Sequence, residues 1–100
     1  MARMRYRILL APEAIRDLKA MPARDQKRTR DAIEKHLRYQ PMQTSKSRIK
    51  RLRGLAKPQY RLRADDIRIF YDVAGAEVRV LAIVYKPEAE IWLAKKGERL

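Results

Sequence analysis

The sequence predicts an α+β fold: a small, twisted antiparallel sheet with an N-terminal helical hairpin on one face and a short C-terminal helix, in the order β-α-α-β-β-β-α. Three observations carry this expectation. Apolar residues alternate with polar ones at Arg3–Leu10, Gln59–Ala64 and Ile67–Val73, the period-2 mark of half-buried strands. Residues 12–39 instead space their apolar side chains at helical intervals. The strands of the second half are separated by turns of two or three residues, which permit only antiparallel pairing. With 100 residues the chain is read as a single domain spanning 1–100.

Each element has a local reason. In the first strand Tyr6, Ile8 and Leu10 share a face opposite Arg5, Arg7 and Leu9. Pro12 suits a first helical turn, and Glu13 sits where the helix dipole favours an anion. Ile15, Leu18 and Met21 give that helix an apolar stripe. Pro22 ends it and starts a second helix over Ala23–Tyr39, polar except for Ala32, Ile33 and Leu37. An extended arm follows around Ile49–Leu52. The strand Gln59–Ala64 turns at Asp65-Asp66 into Ile67–Val73, where Ile67, Ile69 and Tyr71 lie opposite Arg68, Phe70 and Asp72. Gly75 supplies a positive φ for the next turn. Glu77–Tyr85 is almost continuously apolar, the pattern of a central strand covered on both faces. Pro87 opens the last helix, with Glu88 and Glu90 in its first turn and Lys95, Lys96 and Gly97 at its end.

Composition narrows the function. The formal charge is +13, from 25 Lys+Arg against 12 Asp+Glu. A field of that sign attracts polyanions, with nucleic acid first and an acidic protein second. Cysteine is absent, which excludes disulfides and thiolate-bound zinc, and the single histidine, His36, cannot build a His-His-carboxylate site. No metal or other cofactor is expected. No run approaches a membrane span, and the chain is expected to be cytoplasmic, with no membrane partner.

From Lys46 to Arg63 there are eight basic residues and no acid: Lys46, Arg48, Lys50, Arg51, Arg53, Lys57, Arg61 and Arg63; Arg68 follows the turn. Arginine is a poor core residue. With Tyr60, Leu62, Ile67 and Ile69 facing inward, alternation turns Arg61, Arg63 and Arg68 toward the open face, outside the core. There their loss is expected to spare the fold, and they form a solvated face, a docking surface for a polyanion, or a catalytic set. Lys46, Arg48, Lys50, Arg51, Arg53 and Lys57 form a candidate RNA-binding segment rather than a merely solvated surface, and one that could also receive an acidic protein. Tyr60 and Tyr71 read as core, Tyr85 and Trp92 as packing aromatics able to stack on a base, His36 as a surface residue, and Asp65 and Asp66 as turn formers.

The run "LRGL…YRLR…IRIFYDV…VRVLAIV", in this order and in a basic chain of this length, resembles the RelE/ParE toxins of bacterial type II toxin–antitoxin pairs. The resemblance covers nearly the whole chain. It implies a toxin held inactive by an acidic antitoxin that wraps it. RelE-like members cut mRNA on the ribosome; ParE-like members act on DNA gyrase and are not nucleases. Carried onto this chain, the RelE-like site falls on Arg61, Arg63, Arg68, Tyr85 and Lys86, with Trp92 near a position often held by tyrosine. Pro87 departs from the pattern, standing where many ribonuclease members have arginine. The expected function is a metal-independent mRNA endoribonuclease, with gyrase inhibition or a non-toxic RNA-binding member as alternatives. Arginine stabilises a phosphoryl transition state but is a poor base. That role would fall to Lys86, Tyr85 or Tyr60, and only with a lowered pKa, or to proton transfer assisted by the substrate or the ribosome.

Overall fold

A computed structural model describes residues 4–100. The elements are β1 (Arg7–Leu10), α1 (Pro12–Ala20), α2 (Ala23–Leu37), β2 (Ile49–Arg51), β3 (Leu55–Lys57), β4 (Tyr60–Ala64), β5 (Ile67–Ala74), β6 (Glu77–Tyr85), α3 (Lys86–Lys96) and β7 (Glu98–Arg99). Both helices of the hairpin, the strand trio and the last helix fall where the patterning predicts. The start of the first strand at Arg3 lies outside the described residues.

Five strands form one sheet in the order β1-β6-β5-β4-β2, and β3 pairs with β7 in a second, two-stranded sheet. The trio β4–β5–β6 is antiparallel, as its tight turns require. One pairing differs from the expectation. β1 runs parallel to β6, from Arg7 opposite Glu77 to Leu10 opposite Val80, so the sheet is mixed. The hairpin α1–α2 and the strands after it intervene between these partners, and no short turn fixes their relative direction. The β3–β7 pair is likewise non-local, joining Leu55 to Arg99 and Lys57 to Glu98. Gly75 does take a positive φ of 59° in the β5–β6 turn.

The main core lies between the sheet and the hairpin. Leu62, Ile67, Ile69, Tyr71, Val78, Val80 and Ile83 meet Ala14, Leu18, Ile33 and Leu37. Ile15 is exposed, and Ala14 takes the inward position on α1 instead. Tyr71 is fully buried; its hydroxyl donates to the Pro41 carbonyl at 2.6 Å, and its ring stacks on Tyr60. A smaller cluster covers the opposite face. Phe70 and Ala82 pack against Ala89, Trp92 and Leu93 of α3. Phe70 and Trp92 stack with centroids 4.9 Å apart, and the Trp92 indole N–H donates to Glu13 of α1. The central strands are thus covered twice, but α3 leaves part of the second face open.

Candidate functional site

Strand parity places the arginines. Arg63 lies opposite Arg68 across β4–β5, and Lys50 of β2 lies opposite Arg61. All four therefore share the face away from the helical hairpin. The last helix begins immediately after β6, so Lys86 in its first turn arrives at the same place. The result is a cleft of about 440 Å³ between the sheet and α3. Arg61, Arg68, Lys50 and Lys86 line it, Phe70, Leu52 and Leu93 are its apolar part, and Glu90 is its one carboxylate.

These cations are not neutralised within the fold. Among the described residues, every ion pair uses Arg7, Lys27, Arg28, Arg38 or Arg79. Arg68 is 6% exposed, and its guanidinium donates to the backbone carbonyls of Asp65 at 2.7 Å and Ile67 at 3.1 Å. Burial first, then repulsion from Arg61 and Arg63, lowers its pKa. Burial and the Arg63 charge do the same to Arg61. Both stay protonated, because arginine starts far above neutrality. The Arg61 Nε–H is buried and has no acceptor among the described residues. A buried donor and crowded positive charges are both relieved by a bound anion. The planar guanidinium forks suit a phosphodiester.

The sequence-predicted residues are partly gathered here. Arg61, Arg68 and Lys86 line the cleft; Arg63 is exposed beside it. The expectation that all three arginines lie on an open face is corrected for Arg68, which is buried where the strand pair meets the turn. Tyr85 is also corrected. It pairs with Ile67, on the hairpin side of the sheet, and its hydroxyl donates to Asp25. That bond raises the phenol pKa, opposite to the lowering a base would need, and Tyr85 does not line the cleft. Tyr60 lies on that same far side, its ring between Tyr71 and the Arg51 guanidinium. Trp92 is a packing residue.

Of the basic arm, only Lys50 enters the cleft. Arg48 donates to the Arg63 carbonyl and borders a separate hollow with Lys35 and His36. Arg51 donates to the Gln59 carbonyl, and Arg53 lies with Arg99 by the small sheet. Lys46 and Lys57 are exposed. Glu90 is the residue the sequence reading missed at the cleft. Its signal was present: it follows Lys86 by four positions, which puts both on one side of α3. Among the described residues no cluster of His, Asp or Glu could hold a metal ion, and no helix is long and apolar enough to cross a membrane.

A small basic α+β domain, with a mixed sheet between a helical hairpin and a terminal helix, and with unpaired arginines where strand and helix meet, is the architecture of a RelE/ParE-class toxin. Residues 8–88 match the family described as ParE toxin of type II toxin-antitoxin system, parDE, and the chain belongs to that family. The fold is similar to the toxin–antitoxin complex RelBE2 from Mycobacterium tuberculosis, with a TM-score of 0.71 at 20% identity over 82% of this chain and 92% of that one. It is also similar to the RelB–RelE complex from Methanococcus jannaschii, with a TM-score of 0.63 at 24% identity over 84% and 96% of the two chains. The archaeal RelE–RelB complex from Pyrococcus horikoshii OT3 gives 0.61 at 25% identity over 83% and 97%. No curated protein matches the chain by sequence.

Proposed function

We propose that this toxin is a metal-independent endoribonuclease that cuts mRNA on the ribosome and is held inactive by an acidic antitoxin. The observation that carries the reading is the cleft: four cations, none ion-paired among the described residues, around a single carboxylate. Cleavage by an RNA's own 2′-hydroxyl needs a base for that proton, cations for the pentacovalent phosphate and an acid for the departing 5′-oxygen. Arg61 and Arg68 take the middle role. Glu90 accepts the 2′-hydroxyl proton, which Tyr85 and Tyr60 on the far face cannot reach. The ammonium of Lys86 donates a proton to the 5′-oxygen, leaving a cyclic phosphate on one fragment and a hydroxyl on the other. Lys50 and the apolar wall hold the flanking chain. An antitoxin of opposite charge would cover the same cations, and the similar folds are those of toxins in complex with antitoxins.

The match to a ParE toxin family favours a second reading, the one the resemblance implies for ParE-like members: inhibition of DNA gyrase by binding, without chemistry. Induction in bacteria, with mRNA 5′ ends and chromosomal breaks mapped together, separates the two. Codon-phased cuts that disappear in Arg61→Gln and Glu90→Gln support the nuclease. Double-strand breaks over intact mRNA, persisting in Glu90→Gln, replace it with the gyrase reading.

A further inference from the structure

The turn Asp65-Asp66 holds the cleft from behind. The Asp65 carbonyl accepts from the Arg68 guanidinium, and the Asp66 carbonyl accepts the Lys86 amide at 2.7 Å. The turn therefore anchors one cation of the cleft and the start of the helix that bears another. Asp65 adopts a φ of 54°, a conformation aspartate tolerates better than most residues. Its carboxylate and that of Asp66 are exposed, and the charge of Asp66 reaches Arg68 of the cleft.

One side chain takes up both carboxylates. Arg28 of α2 reaches Asp65 at 3.1 Å, Asp66 at 3.0 Å and Asp25 at 2.7 Å. Asp25 in turn accepts the hydroxyl of Tyr85, at the end of β6. Helix, turn and central strand are thereby joined on the side opposite the cleft. No other arginine or lysine among the described residues pairs with Asp65 or Asp66. If Arg28 were removed, these carboxylates would be left to Arg24, which borders one hollow with them, and to Arg68 of the cleft, on whose charge Asp66 already acts.

We propose that Arg28 is a positioning residue for the cleft: it holds the Asp65-Asp66 turn and occupies its carboxylates, leaving Arg68 and Lys86 free for a phosphodiester. This rests on the reading of the cleft as an RNA site. It assigns Arg28 no contact with RNA, and its effect on affinity is electrostatic, because the turn's bonds to Arg68 and to the Lys86 amide are made by backbone carbonyls.

The test uses a short, fluorescein-labelled, 2′-O-methylated single-stranded RNA, which binds without being cut. Its affinity is read by anisotropy, and the Arg68 side-chain Nε–H is followed by NMR. Arg28→Gln is expected to weaken binding roughly fivefold, the scale of one uncompensated charge acting through a largely solvated path, and to displace the Arg68 resonance. Arg28→Lys keeps the charge and retains most of the affinity. Adding Asp65→Asn and Asp66→Asn to Arg28→Gln restores binding, a rescue that a merely structural role would not give. Wild-type affinity in Arg28→Gln, or an equally weak triple variant, overturns the proposal. Should Arg28→Gln fail to fold, Asp65→Asn/Asp66→Asn alone decides: binding at least as tight as wild type supports the proposal, and weaker binding overturns it. If Arg61→Gln/Arg68→Gln does not weaken RNA binding, the RNA reading fails instead. The Arg68 resonance in Arg28→Gln still reports whether the turn positions that side chain.

Discussion

Arg68 and Arg63 face each other across one strand pair and have different physical roles. Arg63 is exposed, whereas Arg68 is buried against two carbonyls. Alternation along the sequence assigned both to the correct face, because side-chain direction in a strand has a period of two. It did not register how much of that face another element covers. The sequence alone therefore places all three arginines outside the core and expects their loss to spare the fold. The structure changes that expectation for one of them. Arg68→Ala leaves the Asp65 and Ile67 carbonyls without their donor, and should lower stability by about 1–3 kcal/mol. Arg63→Ala should stay within about 0.5 kcal/mol of wild type, as exposed substitutions do. Urea denaturation checks both; equal stability of the two variants would show that the Arg68 bonds contribute nothing measurable.

Among the elements, those legible from the sequence were the ones whose neighbours are close along the chain. The trio β4–β5–β6 follows from its turns, and the hairpin α1–α2 from Pro12, Pro22 and the apolar stripe. The parallel β1–β6 pair and the β3–β7 pair join residues about seventy and forty positions apart, and each strand is too short to announce a partner. The last helix was predicted, but not the face it covers. Its docking rests on Phe70, fully buried, stacked on Trp92. Phe70→Ala should cost about 3–5 kcal/mol, and because α3 carries Lys86 and Glu90 it should also disable the cleft. Ile91, on the same helix but 55% exposed, is the control: Ile91→Ala should alter stability by less than about 0.5 kcal/mol. The discriminating result is a partly folded Phe70→Ala variant that has lost cleft function while α1 and α2 remain protected from hydrogen exchange. Full activity in that variant would mean that α3 does not build the site.

At the scale of the whole molecule, a charge of +13 opposes compaction, and lowering the pH adds to it. The titrating groups divide by sign. Asp25, bonded by Tyr85 and Arg28, Glu34, paired with Arg38, and Glu77, paired with Arg79, all titrate below the usual carboxylate range. Such groups stabilise the fold fully above their unfolded values, and that contribution disappears as pH falls through the folded ones. Asp17 opposes them. It is raised by burial, while it accepts the Ile83 amide where β1 has ended, and its effect diminishes stability as pH rises through the same acid region. His36 acts earlier. Burial, then the charges of Arg48 and Lys35, hold its pKa below the ordinary 6.5. Between those two values the unfolded chain binds a proton that the folded chain does not, so stability falls as pH drops below about 6.5. The urea midpoint should therefore decline in two stages on acidification, one beginning near neutrality and one below about pH 4.5. His36→Gln should remove the first stage and leave the second, and salt should soften the second by screening the net charge. An unchanged slope between pH 7 and 5 in His36→Gln would assign the early loss to some other group. Any polyanion that occupies the hollow beside Arg48 would move the His36 titration upward, which gives the same histidine a second use as a reporter of binding there.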